Sequence, residues 1–108
     1  MSVKEISRSS LSEALLSASP PVVFEALDRK YYDSGHIPTA RMLPPAEIDL
    51  VASIVADKDQ AIVLYCASAT CQNSHHAAAH LEKQGYRNIA VYAGGKADWV
   101  EAGLRLEK

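Results

Sequence analysis

The amino-acid sequence predicts an α/β domain built on a central, mostly parallel sheet of four to five strands with helices on both faces. Three observations lead there. The apolar runs Val22–Leu27, Ala61–Cys66 and Asn88–Tyr92 show no regular alternation with polar residues, as befits strands covered on both faces. Helical patterns separate these runs, and strands that alternate with helices form parallel sheets. Finally, 108 residues of which 48% are hydrophobic suffice for one core, so residues 1–108 read as a single domain.

Taken in order, Val3 to Ile6 suits a short edge strand. Ser9 or Ser10 then caps a helix over Leu11 to Ser17, with Leu11, Ala14, Leu15 and Ala18 on one face. Ser19-Pro20-Pro21 ends it, and Val22 to Leu27 is the next strand. Asp28 to Ser34 is polar, room for one helical turn, and Gly35-His36-Ile37-Pro38 is a turn in which His36 bonds to backbone. Ala40 to Leu43 is a short strand. Pro44 and Pro45 open a helix that runs to about Ala56 and buries Ile48, Val51, Ile54 and Val55. Asp57 to Gln60 leads into the central strand, Ala61 to Cys66. A helix capped by Asn73 or Ser74 runs to Gln84, with Gly85 beyond its end. Asn88 to Tyr92 is the last strand. Gly94-Gly95 forms a tight turn, and Lys96 to Glu101 is a final helix closed by Gly103, with Trp99 in the core.

A net charge of −2 with both signs mixed along the chain lacks the basic footprint of a nucleic-acid or anionic-membrane binder. No stretch approaches the length of a membrane span, and Lys4, Glu5, Arg8 and Glu13 break up what would be a signal-peptide core. The cytoplasm is the expected compartment. The two cysteines lie five positions apart, where a disulfide staples almost nothing, so their meaning shifts toward reactivity.

Cys66 stands where the central strand becomes a loop, Ala67-Ser68-Ala69-Thr70-Cys71-Gln72, that runs into a helix N-terminus. Ligands bind at the carboxyl ends of strands in such sheets, and a helix start offers free N–H groups and positive potential. A sulfur there is expected to favour its thiolate, the reactive form. Ser74 and His75 stand beside the loop. Cys71 reads either as a small loop residue or as a resolving thiol that forms a disulfide with Cys66. His76 and His80 are one helical turn apart, but the crowding of every candidate ligand into one segment argues against a metal site. His75 or His76 is expected near the loop mouth and His80 in solvent, and no cofactor is expected.

The order of motifs resembles the rhodanese-like domain family over nearly the whole chain. The resemblance rests on Tyr32-Asp33-Ser34-Gly35-His36-Ile37-Pro38, Leu64-Tyr65-Cys66, the helix from Ser74 to Leu81, Gly85-Tyr86-Arg87-Asn88-Ile89, Tyr92-Ala93-Gly94-Gly95-Lys96-Ala97-Asp98-Trp99 and Ala102-Gly103-Leu104. It implies a sulfurtransferase in which Cys66 is the catalytic cysteine. Cys66 would take a sulfane sulfur from a small donor as a persulfide, cradled by residues 67–72, and pass it to a thiol or cyanide-like acceptor, small or protein-borne.

Two features depart from the family. Glu25-Ala26-Leu27 stands where members have Asp-x-Arg, so another group must take over the role of that arginine. The loop has no arginine and is a residue or two longer than usual, so dianionic thiosulfate meets only N–H groups and the helix dipole. A less charged donor is expected. The alternative is a non-catalytic rhodanese-fold module that binds a partner or senses oxidants through Cys66 and Cys71. Cysteine phosphatases and arsenate reductases place an arginine six residues after the nucleophile. Here that residue is Gln72, without the bidentate guanidinium that oxyanion chemistry needs.

Overall fold

The computed structural model describes residues 3–108. The elements are β1 (Val3–Glu5), α1 (Arg8–Leu15), β2 (Val22–Glu25), α2 (Arg29–Asp33), β3 (Arg41–Met42), a 3-10 turn (Pro45–Glu47), α3 (Leu50–Ile54), β4 (Ile62–Tyr65), α4 (Asn73–Lys83), β5 (Ile89–Tyr92) and α5 (Gly95–Glu101). The five strands form one sheet in the order β1-β5-β4-β2-β3, and every pairing is parallel. The predicted architecture is therefore observed, with β4 at its centre.

Side chains alternate across the sheet as the pleat requires. Phe24, Ile62, Leu64, Ile89 and Val91 point to one face, where Val51 of α3 and Ala77, Ala78 and Leu81 of α4 cover them. Val23, Val63, Tyr65, Ala90 and Tyr92 point to the other, under Leu11 of α1 and Trp99 of α5. Burial on both faces explains why the strand sequences carry no polar alternation. Arg8 of α1 reaches both carboxylate oxygens of Asp98 in α5 at 3.0 Å and ties the two helices on that face.

Several boundaries differ from the sequence expectation. Ser7, not Ser9 or Ser10, caps α1: its hydroxyl accepts the Ser10 N–H at 3.1 Å. The helix consequently ends before Ala18, which is exposed. The helix expected from Pro44 to Ala56 is a 3-10 turn followed by the five residues of α3. Ile48 and Val51 keep their inward positions, whereas Ile54 is 37% exposed, because the helix is too short to bring it round to the core. Neither Asn73 nor Ser74 caps α4; both lie inside it, after Gln72. Gly95 belongs to α5 rather than to a turn before it. Trp99 is buried as expected, and His36 bonds to backbone as expected, with Nδ1 3.2 Å from the Tyr32 carbonyl; its ring is also buried and stacked on Tyr32.

The chain leaves β2 toward the β3 edge and leaves β4 toward the β5 side. Loops that diverge in this way open a crevice at the carboxyl ends of the two strands. Cys66 follows β4 directly into that crevice.

Candidate active site

Cys66 is buried at the end of β4. Its backbone is held from the α5 side: the Lys96 N–H donates to the Cys66 carbonyl and the Ala97 N–H to the Ala67 carbonyl, both at 2.9 Å. Gly95 makes this close approach possible. Its φ is +70°, and a Cβ there would lie 2.5 Å from the Cys66 carbonyl oxygen and 2.9 Å from the Ser68 nitrogen. Only glycine takes up that conformation without strain and leaves that space.

The loop of residues 67–72 closes over the sulfur. Cys71 N–H donates to the Ser68 carbonyl at 3.1 Å, and the Ser68 and Thr70 hydroxyls lie 3.1 Å apart. Asn73 Nδ2 donates to the Ala26 carbonyl at 3.1 Å and joins the start of α4 to the exit of β2. The Cys66 thiol donates to the Cys71 carbonyl at 3.2 Å, and Ser74 Oγ, on a buried side chain, lies 3.5 Å from Cys66 Sγ.

The loop brings the two cysteines together as free thiols. Burial pushes the Cys66 thiol up, as does its interaction with Cys71, while the Ser74 hydroxyl and N–H pull the other way. This corrects the expectation of a resting thiolate: the sulfur is desolvated, and its proton points at a carbonyl that favours the protonated form. Burial also acts to raise Cys71. There the Cys66 thiol and the N–H groups of Asn73 and Ala67 outweigh it and hold Cys71 below its ordinary value. The peptide joining Cys66 to Ala67 turns its carbonyl to Lys96, and its N–H favours the anionic form of Cys71.

A consequence is testable with iodoacetamide, which reacts with thiolates. Near neutral pH the lowered, half-exposed Cys71 is alkylated before Cys66. Because the Cys66 thiol is raised, its thiolate fraction grows only above the usual cysteine range of about 8.5, and its labelling climbs there. Peptide mapping across pH checks this, and Cys66 labelled first near neutrality would contradict it.

A buried polar network beside the site joins residues far apart in sequence. Glu25, fully buried, accepts the Tyr65 hydroxyl at 2.7 Å on Oε1 and Lys96 Nζ at 3.1 Å on Oε2. Lys96 also donates to the Tyr31 carbonyl at 2.8 Å, and Tyr65 Oη accepts the Ile37 N–H at 3.0 Å. Burial, followed by the Glu25 carboxylate, pushes the Tyr65 phenol far up, so it remains a donor. This network joins β2, β4, α5 and the segment after α2 directly beneath the cysteine loop. Sequence reasoning noticed Glu25 only as a departure from the family; a lone tyrosine and a lone glutamate in otherwise apolar strands were the available signal.

His75 is half-buried and His76 exposed. His80 is exposed but not isolated, since its Nε2 lies 3.3 Å from Asp49 Oδ1. Among the described residues, no group of three or more His, Cys, Asp or Glu side chains is placed to hold a metal, and no helix is long and apolar enough to cross a membrane. A groove of about 210 Å³ lies between α4 and the 3-10 turn, walled by Ala26, Leu43, Ile48 and Ala77 with His76 and His80 at α4.

The family model for the Rhodanese-like domain matches residues 8–102. The chain is 32% identical over 104 residues to the thiosulfate sulfurtransferase GlpE of Pseudoalteromonas translucida, a match that covers 94% of this chain and 93% of that protein. It is also similar to an HTH-type transcriptional regulator of Mycobacterium tuberculosis, 33% identical over 78 residues. That match covers 71% of this chain but only 33% of the regulator, so the chain corresponds to a part of it. Among solved structures, the BH2092 protein of Bacillus halodurans superposes with a TM-score of 0.84 at 25% identity, over 96% of this chain and 76% of that one.

Proposed function

We propose that this chain, which belongs to the rhodanese-like domain family, is a sulfurtransferase that carries sulfane sulfur as a persulfide on Cys66. The observation that carries this reading is the position of Cys66 at the crevice, with Ser74 Oγ 3.5 Å from its sulfur and the flanking carbonyls pinned by α5. The relative of similar length is named a thiosulfate sulfurtransferase, which supports the reaction class.

In the first step the Cys66 thiolate attacks the sulfane sulfur of a donor R–S–SH. The Cys66–sulfur bond forms, the donor's S–S bond breaks, and RS⁻ leaves with its electron pair. In the second, a thiolate or cyanide attacks the outer sulfur and Cys66 departs as a thiolate. Cys66 Sγ is an anion at the start of the first step and at the end of the second, where the Ser74 hydroxyl and N–H favour that charge. Because burial holds the resting thiol protonated, loading accelerates as pH rises through and above the usual cysteine range.

The donor is an organic persulfide of low charge, since residues 67–72 contain no cationic side chain. The reaction belongs in the cytoplasm, where thiols stay reduced. With cyanide as acceptor, thiocyanate forms faster from a singly charged alkyl persulfide than from dianionic thiosulfate by about tenfold or more, the worth of one charge-assisted hydrogen bond. Equal or faster turnover of thiosulfate overturns the donor assignment. A second reading, a binding or redox-sensing module, is favoured by the burial of Cys66; it takes over if no donor yields thiocyanate.

A further inference from the structure

The backbone N–H groups of Ala67 and Asn73, with the Cys66 thiol, favour the anionic form of Cys71. Cys66 Sγ in turn lies 3.2 Å from the Cys71 carbonyl, so residue 71 is folded back over the sulfur of residue 66. Three features follow for Cys71: it is half-exposed, its sulfur is stabilised as an anion, and it adjoins the atom that takes up sulfur. The fixed Ala67 peptide supplies one of the stabilising N–H groups, because its partner carbonyl is locked by Lys96 at 2.9 Å.

We propose that Cys71 is a resolving thiol that turns the Cys66 persulfide into sulfide and an intraloop disulfide. The inference rests on the reading of Cys66 as sulfur carrier. The Cys71 thiolate attacks Cys66 Sγ, the inner sulfur; the Cys66–Cys71 bond forms, the bond to the outer sulfur breaks, and hydrosulfide leaves with the electron pair. Two cysteine sulfurs are oxidised to the disulfide as the sulfane sulfur is reduced to sulfide. An external dithiol then reduces the disulfide and returns both thiols. The site thereby has two outlets: transfer when an acceptor is at hand, and sulfide release with self-locking when none is. A second consequence is redox control, since the locked loop accepts no further sulfur until a dithiol restores it.

The test uses the full chain as wild type and as Cys71→Ser, each incubated with inorganic polysulfide and then freed of excess donor, without acceptor. Released sulfide and intact mass are followed with time. Wild type is expected to release one sulfide per chain and to settle at a mass lower by two hydrogens than the reduced protein. Cys71→Ser is expected to keep a mass higher by one sulfur atom, with a persulfide lifetime longer by on the order of a hundredfold, as suits removal of an intramolecular nucleophile. Peptide mapping must place the wild-type disulfide between Cys66 and Cys71. A wild-type persulfide on Cys66 that survives as long as that of Cys71→Ser overturns the inference while leaving the transfer reading intact, and a sulfur carried on Cys71 in place of Cys66 overturns both. A Cys71→Ser protein that takes up no sulfur overturns both.

Discussion

Glu25→Ala is expected to destabilise the domain by about 3–5 kcal/mol, the range for removing one partner of a buried ion pair. The Glu25 carboxylate is fully buried and Lys96 is only 15% exposed, so the ammonium is left with the Tyr31 carbonyl as its protein partner. The Tyr65 hydroxyl loses its acceptor at the same time, and an orphaned buried donor adds to the loss. For a domain of this size the melting temperature falls by about 12 °C or more. Replacing both members of the pair, Glu25→Leu with Lys96→Met, recovers most of the loss, because the uncompensated charge is gone. Thermal unfolding of the three proteins checks this. A Glu25→Ala protein that melts within a degree or two of wild type would show that the network does not hold the sheet to α5.

Gly95→Ala has the second large effect, and it reaches the chemistry. The added Cβ meets backbone atoms, the Cys66 carbonyl at 2.5 Å and the Ser68 nitrogen at 2.9 Å, which cannot swing aside as a side chain would. Strain at a φ of +70° adds about 1–2 kcal/mol, and overpacking about 1–3 kcal/mol. The relief available is a shift of the loop that carries Cys66, and a displacement of this kind lowers transfer by up to about a hundredfold even in the folded fraction. Gly85→Ala is the control. Gly85 also has positive φ, +99°, but a Cβ there meets nothing within 4 Å, so stability falls modestly and turnover per folded molecule holds. Equal turnover in the two variants would contradict the role assigned to Gly95.

What could be read from the sequence follows from how local each feature is. The runs Val22–Leu27, Ala61–Cys66 and Asn88–Tyr92 each contain an observed strand, because burial on both faces leaves a continuous apolar signal. The same signal places Cys66 one residue after β4. The pattern after Pro44 suggests one long helix because Ile48, Val51, Ile54 and Val55 suit a helical stripe, yet a 3-10 turn interrupts it and Ile54 faces solvent. Ser7, Ser9 and Ser10 offer equivalent caps, and only the geometry of the first turn selects Ser7. The Glu25–Tyr65–Lys96 network was beyond reach, since its members lie 40 and 71 residues from Glu25. The acidity of the cysteines is not local either: proximity to a helix start suggests a Cys66 thiolate, but burial raises Cys66 and the sulfur held below its ordinary value is that of Cys71.

The central claim is that Cys66, and not its neighbour in the loop, is the atom that carries sulfur. It is tested most directly by the intact masses of Cys71→Ser and Cys66→Ser after incubation with polysulfide and removal of excess donor. The account predicts one added sulfur atom on Cys71→Ser, removable by cyanide as thiocyanate, and none on Cys66→Ser, which still has the thiol of Cys71. Sulfur retained by Cys66→Ser, or absent from Cys71→Ser, would contradict it.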